Sequence, residues 1–396
     1  MFEEIKKIMS IKLSKIFVLL ICFFCFFSYL SSGIYAFLVV GILGVFLTLY
    51  KNLFRIKKIN IYAILVGIFV LTSIVWTKDV TETFLFGCVI LSFSLVVNCI
   101  VDKTIDYKKS ILKFMYFLSI IHVVAIIVEL IAPNIIFKIN EIILTPRSFS
   151  AVIYLFNQGK YSGIAPQTGT AAYFVLVYLI ISLFIFLKRK DILSLGLNVI
   201  GFVALLSTYK RAPLLVYILI LLCCAAYFFI RKNRGNNKII IKALIAVLII
   251  FMLIYMISAF GYLFVEGDTD EISSGRWEVY MFMLEEFLKN PIIGNGFGYV
   301  LSMQGLAGHN IYLQLLCEYG LFAILFFIWF YKNISYTYRS LKNSKDERFI
   351  INGISLCFQL FFLLYGLFGN PIYDYFELGI YMMFCALTCK GNEVIE

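Results

Sequence analysis

The sequence predicts an all-α, polytopic membrane protein with about twelve transmembrane helices. Three observations carry this reading. The 396 residues are 62% hydrophobic and only 14% charged, whereas soluble domains are roughly half apolar. Apolar runs reach the ~18 or more residues that a bilayer crossing requires. The basic residues cluster on alternate connections between those runs, as membrane topology demands. The expected spans are 16–32, 33–50, 59–76, 83–101, 111–131, 170–187, 192–209, 213–230, 239–265, 311–331, 350–369 and 372–389. Only Ser31-Ser32-Gly33 separates the first two. No convincing small-residue cleavage site follows the first span, so it reads as an anchor. The whole of 1–396 is expected to form one integral membrane domain.

With a cytoplasmic N-terminus, 26 of the 34 Lys and Arg fall on inner connections, and both ends of the chain lie inside. Lys109, Lys113, Lys188, Arg189 and Lys190 belong to this inner set. The net charge of +11 is therefore a topology signal, and no nucleic-acid partner is read from it. Eight cations remain outside: Lys78, Lys138, Arg147, Lys160, Lys210, Arg211, Arg276 and Lys289. Lys210-Arg211 is the adjacent pair among them, wedged in a very short turn. Such residues either snorkel to headgroups or form an anion site. The site is the preferred reading for Arg211 and Arg276.

Two long loops share that outer face. Loop 132–169 contains Thr145-Pro146-Arg147 and then Lys160 through Gly169, and its Pro, Gly and Ser content argues for ordered turns. Loop 266–310 is long enough to need a function. From Arg276 to Asn290, Trp277, Tyr280, Met281, Leu284, Phe287 and Leu288 recur at helical spacing. Ser273 and Ser274 stand where an N-cap belongs, and Asn290-Pro291 supplies the stop. This predicts an amphipathic helix at the membrane surface, then a turn hinged at Gly294, Gly296 and Gly298. His309-Asn310 follows at the mouth of the next span.

Other features read as structure. None of the ten Cys lies in a long outer loop, so no disulfide framework is expected, and Cys22 and Cys25 read as helix packing. The Gly294-x-Gly296-x-Gly298 run follows no strand, which argues against a dinucleotide loop. No Cys or carboxylate stands at ligand spacing near His309, and neither a metal nor a cofactor is expected. His122 and Glu129 share one span seven residues apart, and intramembrane ionisable groups are candidates for function. No repeat between halves points to a two-fold transporter.

What remains is a set of outer cations and one histidine. Arginine's planar fork suits phosphate oxygens, and two or three such groups can stabilise a diphosphate leaving group. A histidine titrating near neutrality can accept the proton of an attacking hydroxyl. Transfer from a lipid diphosphate to an alcohol fits this chemistry.

Ser274-Gly275-Arg276, the helix after it, Asn290-Pro291-Ile292-Ile293-Gly294-Asn295-Gly296, and the run His309-Asn310 through Gln314, Glu318 and Gly320 resemble the O-antigen ligase and polymerase superfamily. That family shows an SGR, a helix, a PxxGxG turn and an HNxxLQxxxExG run. Ser207 to Ala212 is similar to its SR-containing turn, with Lys210 ahead of the arginine. Lys160-Tyr161-Ser162-Gly163, with Pro166 and Gly169, is similar to its other loop, with lysine where arginine is usual. The resemblance implies a metal-independent glycosyltransferase acting on undecaprenyl-diphosphate-linked oligosaccharide at the outer face of a bacterial plasma membrane. Membrane lipid, a flippase and a chain-length regulator are the partners it implies. It places catalysis on His309, Arg276 and Arg211. Lys210, Lys160, Arg147, Asn310 and Glu318 form the substrate-binding set. Polymerisation of repeat units into O-antigen or capsule is the preferred activity. Ligation of the glycan to a lipid A-core or other acceptor is the alternative, and a polytopic transporter or flippase of lipid-linked glycans is the reading from another class.

Overall fold

The computed structural model describes residues 2–27, 42, 60–232, 276–305 and 307–389. The expected spans 33–50 (apart from residue 42) and 239–265, and the caps Ser273 and Ser274, lie outside the described residues. Among the described residues the chain is helical throughout, with no strand. A bilayer leaves little else open, because every backbone polar group must be satisfied within its own segment. The helices are α1 (Phe2–Phe26), α2 (Ile61–Thr72), α3 (Val80–Ile100), α4 (Ile105–Ile131), α5 (Pro133–Ile143), α6 (Pro146–Asn157), α7 (Thr168–Arg189) and α8 (Ile192–Ser207). There follow α9 (Arg211–Lys232), α10 (Arg276–Lys289), α11 (Tyr299–Gln304), α12 (Ile311–Tyr319), α13 (Ile324–Lys342), α14 (Asp346–Tyr365) and α15 (Tyr375–Leu387).

Five stretches are long and apolar enough to cross a membrane: Val80–Ile100, Ile105–Ile131, Thr168–Arg189, Ile311–Lys342 and Asp346–Tyr365. Shorter apolar helices cover Leu13–Phe26, Ile61–Val75, Ile192–Ser207, Arg211–Ala225 and Tyr375–Leu387. The stretch expected as 311–331 is longer and is broken, since α12 ends at Tyr319, a 3₁₀ turn covers Gly320–Ala323, and α13 continues to Lys342.

Two helices form the centre. In α7 every residue from Ala171 to Phe184 is buried, and in α15 every residue from Glu377 to Leu387. A helix apolar on all sides belongs inside a bundle. Tyr173 Oη donates to the Glu377 carbonyl at 2.9 Å and so joins the two. α3 packs on α2 and α15, α4 on α1 and α7, and α14 on α13, α15 and α7. A polar ladder fastens α13, α14 and α15, in which Gln359 donates to Thr337 at 2.8 Å and to Ser355 at 3.1 Å, and Thr337 meets Thr388 at 3.0 Å. α8 turns Ile192, Leu195, Val199, Val203 and Leu206 outward, an exposed apolar stripe suited to lipid.

Loop 132–169 corrects the expectation of turns, because it folds into α5 and α6. Pro133 and Pro146 open these helices, where a missing N–H costs nothing and φ is already helical. The Thr145 hydroxyl caps α6 by accepting from Ser148 N at 3.3 Å.

Candidate active site

The motif segment 290–320 is folded back on itself. The turn after α10 lies across the C-terminal end of α12, where Asn295 N donates to Cys317 O at 3.1 Å and Gly296 N to Glu318 O at 2.8 Å. Leu321 N returns the contact to Pro291 O at 2.8 Å. Gly294 (φ 70°) and Gly320 (φ 57°) face the opposing backbones, and a Cβ on Gly294 would lie 2.4 Å from the Glu318 carbonyl. The glycines thus serve close backbone approach, and no phosphate cradle is needed to explain them.

Glu318 lies beneath this clasp, wholly buried. Its Oε1 accepts from Gln314 Nε2 at 3.0 Å and its Oε2 from Tyr373 Oη at 2.8 Å. The backbone N–H groups of Gly298 and Val300 also reach it. Expected among the substrate-binding residues, Glu318 is instead surrounded by protein donors. Gln314 continues the network by accepting from Gly308 N at 3.1 Å and from Asn370 Nδ2 at 2.9 Å. Asn370 and Tyr373 sit in the connection between α14 and α15, and Gly366 O of that connection accepts from Ile311 N at 2.8 Å. The expected spans 350–369 and 372–389 place Tyr373 inside a span and give this connection no role.

His309 emerges directly above. Its backbone is left-handed (φ 51°), its carbonyl accepts from Tyr280 Oη at 3.2 Å, and Asn310 follows as the N-cap of α12. The Asn310 Oδ1 accepts from Tyr312 N at 3.0 Å and Leu313 N at 3.1 Å, so this side chain is occupied by helix capping. His309 is half-buried, and burial, Arg276 and Lys210, in that order, push its pKa below the ordinary 6.5.

Lys210 is reached from a second left-handed residue, Tyr209 (φ 54°). It runs over the start of α7, where a methyl on Gly169 would come 3.9 Å from Lys210 Cε. The Lys210 pKa is lowered by burial, Arg276 and Lys160. As a residue it keeps an exposed surface, so the two neighbouring cations are the firmer cause. Lys160 is brought alongside by the backbone, since Tyr161 N donates to Ser207 O at 3.0 Å and joins the two turns. The Lys160 turn is held from below, where Glu129 Oε2 accepts from Gly163 N at 2.7 Å and Asn140 Nδ2 donates to Gly163 O at 2.9 Å. His122 turns elsewhere, with Nε2 3.1 Å from Phe26 O.

Arg276 begins α10, where the helix dipole disfavours a cation. That placement is better explained by what it faces: its charge is felt by His309, Lys210, Tyr280 and Tyr365. Tyr280 was read only as an apolar position of the surface helix, and Tyr365 only as part of a span. The structure therefore gathers Lys160, Lys210, Arg276 and His309. Arg211 and Arg147 are exposed on α9 and α6, with no hydrogen bond or ion pair to these four among the described residues.

α10 presents Val279, Met283 and Glu286 to the protein. The Glu286 carboxylate pairs with Lys289 at 2.6 Å and accepts from Tyr299 Oη at 2.7 Å, contacts that hold its pKa below the usual carboxylate range. Met281, Leu284 and Leu288, 39%, 42% and 67% exposed, form a stripe on the other side. A helix is present over these residues; of the six apolar positions expected on its stripe, Met281, Leu284 and Leu288 are exposed, while Trp277, Tyr280 and Phe287 are half-buried.

A multi-pass helical membrane protein with a cationic cluster around one histidine at one end of the bundle is the class this architecture defines. Residues 196–328 match the family described as O-antigen ligase, and this match supports the resemblance to the O-antigen ligase/polymerase superfamily, whose members are glycosyl-transfer enzymes. The matched stretch contains Lys210, Arg211, Arg276, His309, Asn310 and Glu318, and begins after Lys160. No curated protein gives a match.

Proposed function

We propose that this chain polymerises undecaprenyl-diphosphate-linked oligosaccharide repeat units at the outer face of a bacterial plasma membrane, with both termini cytoplasmic and both long loops over one site. The observation that carries the reading is the placement of Arg276 and Lys210 beside a half-buried histidine whose pKa they and burial push down, with Lys160 beside Lys210. A neutral imidazole is a base, and the cations gathered near it suit a diphosphate. In the reaction, an acceptor sugar hydroxyl attacks the anomeric carbon of the donor. The new glycosidic C–O bond forms, and the bond from that carbon to the diphosphate oxygen breaks. His309 takes the hydroxyl proton and later returns it to water. The departing lipid diphosphate keeps the electron pair, and its charge is met by Arg276, Lys210 and Lys160. Fixed charges aimed at a leaving group act without reorganisation, which makes such terms large.

The test is purified protein with one synthetic undecaprenyl-diphosphate oligosaccharide and no other acceptor, with products resolved on a gel. A ladder is expected. His309→Ala and Arg276→Ala should each cost about 10²–10³ in rate with membrane expression intact. Lys210→Gln should cost more than Arg211→Gln, because Lys210 shares the cluster's field and Arg211 is exposed, with no hydrogen bond or ion pair to it among the described residues. Full activity in the His309 or Arg276 variant removes that residue from the mechanism. The family's description favours a second reading, ligation to a separate acceptor. A single product that appears only when a core glycolipid is added would establish it.

A further inference from the structure

At the end of the bundle opposite His309, α4, α7 and α14 part to leave a cleft of about 230 Å³. Its walls are apolar, with Leu112, Phe184 and Ile351 among them. The floor is tight, since a Cβ on Gly353 would stand 2.4 Å from the Phe184 ring. Its mouth carries Lys109, Lys113, Lys188 and Glu347. Lys109 is spoken for, paired with Glu347 and with Asp106 at 3.5 Å. Lys113 and Lys188 are exposed, and no ion pair or hydrogen bond holds either among the described residues. The cleft therefore offers two uncommitted cations above an apolar slot.

We propose that it binds one anionic glycerophospholipid, with the phosphate between Lys113 and Lys188 and one acyl tail along Leu112, Phe184 and Ile351. The volume supports a partly held guest. It falls below the roughly 300–1,000 Å³ of pockets that enclose a whole small ligand, as suits a lipid whose other tail stays in the bilayer. The position supports it too. α7 spans 22 residues from the His309 end to Lys188 and Arg189, about 33 Å at 1.5 Å per residue, close to a hydrocarbon thickness of about 30 Å. The mouth thus meets the headgroup level of the leaflet that the positive-inside distribution makes cytoplasmic, where anionic lipids attract basic clusters.

The full-length protein would be placed in nanodiscs of phosphatidylcholine with or without phosphatidylglycerol, and retained lipid counted by native mass spectrometry. One phosphatidylglycerol per chain is expected to survive in preference to phosphatidylcholine. The double variant Lys113→Gln/Lys188→Gln should weaken retention at least about tenfold, given the usual worth of a basic residue at an anionic surface. Ile350→Trp, which fills the slot and leaves the charges untouched, should abolish retention. Lys190→Gln/Lys345→Gln removes two charges that do not line the cleft and should change nothing. The proposal is overturned if phosphatidylcholine is retained equally, if the Lys113/Lys188 variant keeps its lipid, or if the control pair loses it to the same extent. Inorganic phosphate alone raising the melting temperature as far as phosphatidylglycerol does would mark a simple anion site and also overturn it.

Discussion

His309 sits in a left-handed backbone that non-glycine residues rarely adopt, beside two cations that oppose its protonation. Strain of this kind persists only where surrounding contacts enforce it, and Tyr280, Gln314 and the Asn310 cap supply them here. The consequence for pH has a definite sign. A base works in its neutral form, so the rate should rise with pH through the His309 pKa and level off above it. Because that pKa is pushed below 6.5, the rate should already be past half its plateau at pH 6.5, where an ordinary histidine is half protonated. Lys210→Gln removes one of the opposing cations, so its acid limb should move up toward 6.5. Initial rates from about pH 5 to about pH 8 for the two proteins check this. A wild-type limb centred at 6.5, or one unmoved by the substitution, contradicts it. At this scale the residue types were legible in the sequence and their orientation was not. Lys210 and Arg211 are neighbours, and the φ of Tyr209, set by tertiary packing, is what turns one toward Arg276 while the other opens α9.

Among the elements, the clasp between the 290–298 turn and α12 fixes where His309 stands. Its weak point is Gly320, whose Cβ would lie 2.6 Å from the carbonyl oxygens of both Pro291 and Ile292. Gly320→Ala should therefore cost more than the roughly 1 kcal/mol of left-handed strain alone. Loss of about 2 kcal/mol or more is expected, since backbone atoms cannot step aside. Gly305→Ala is the matched control, with φ 65° and nothing within 4 Å of its Cβ. Thermal melts of the two variants in detergent, followed with a thiol-reactive dye on the buried cysteines, should separate them clearly. Equal melting temperatures would mean the clasp is dispensable. The turn and the helix over Arg276–Lys289 were legible from spacing and stop signals, whereas the break that ends α12 at Tyr319 was not. α5 and α6 were not, because proline there was taken as loop punctuation when it begins a helix. The connection holding Asn370 and Tyr373 was missed for a different reason. Its contribution is a set of bonds to residues more than fifty positions away, which no local pattern records.

Across the molecule, the two ends of the bundle differ in kind. One gathers Lys160, Lys210, Arg276 and His309 from separate loops, and the other carries Lys109, Lys113, Lys188 and Glu347 at the helix ends. That division was legible from hydropathy and from the alternation of basic clusters, because the bilayer constrains length and charge more strictly than water does. What could not be read was which loops meet over the site, since meeting depends on how α4, α7 and α9 pack. The asymmetry also favours an enzyme over a transporter of lipid-linked glycans. A transporter must expose its substrate site to each side in turn, and its site lies near the bilayer midplane. A site built at one end, on loops tied to α4 and to the α14–α15 connection, has no such requirement. Single cysteines at positions 160, 211 and 309, in a background lacking the exposed Cys223 and the half-buried Cys88 and Cys224, should react with a membrane-impermeant maleimide only from the outside of intact cells. Reaction in inverted vesicles as well, dependent on added lipid-linked glycan, would reveal alternating access and replace the enzyme reading with the transporter. Reaction only from outside would leave the cationic cluster a fixed extracytoplasmic centre, as polymerisation on a carrier lipid requires.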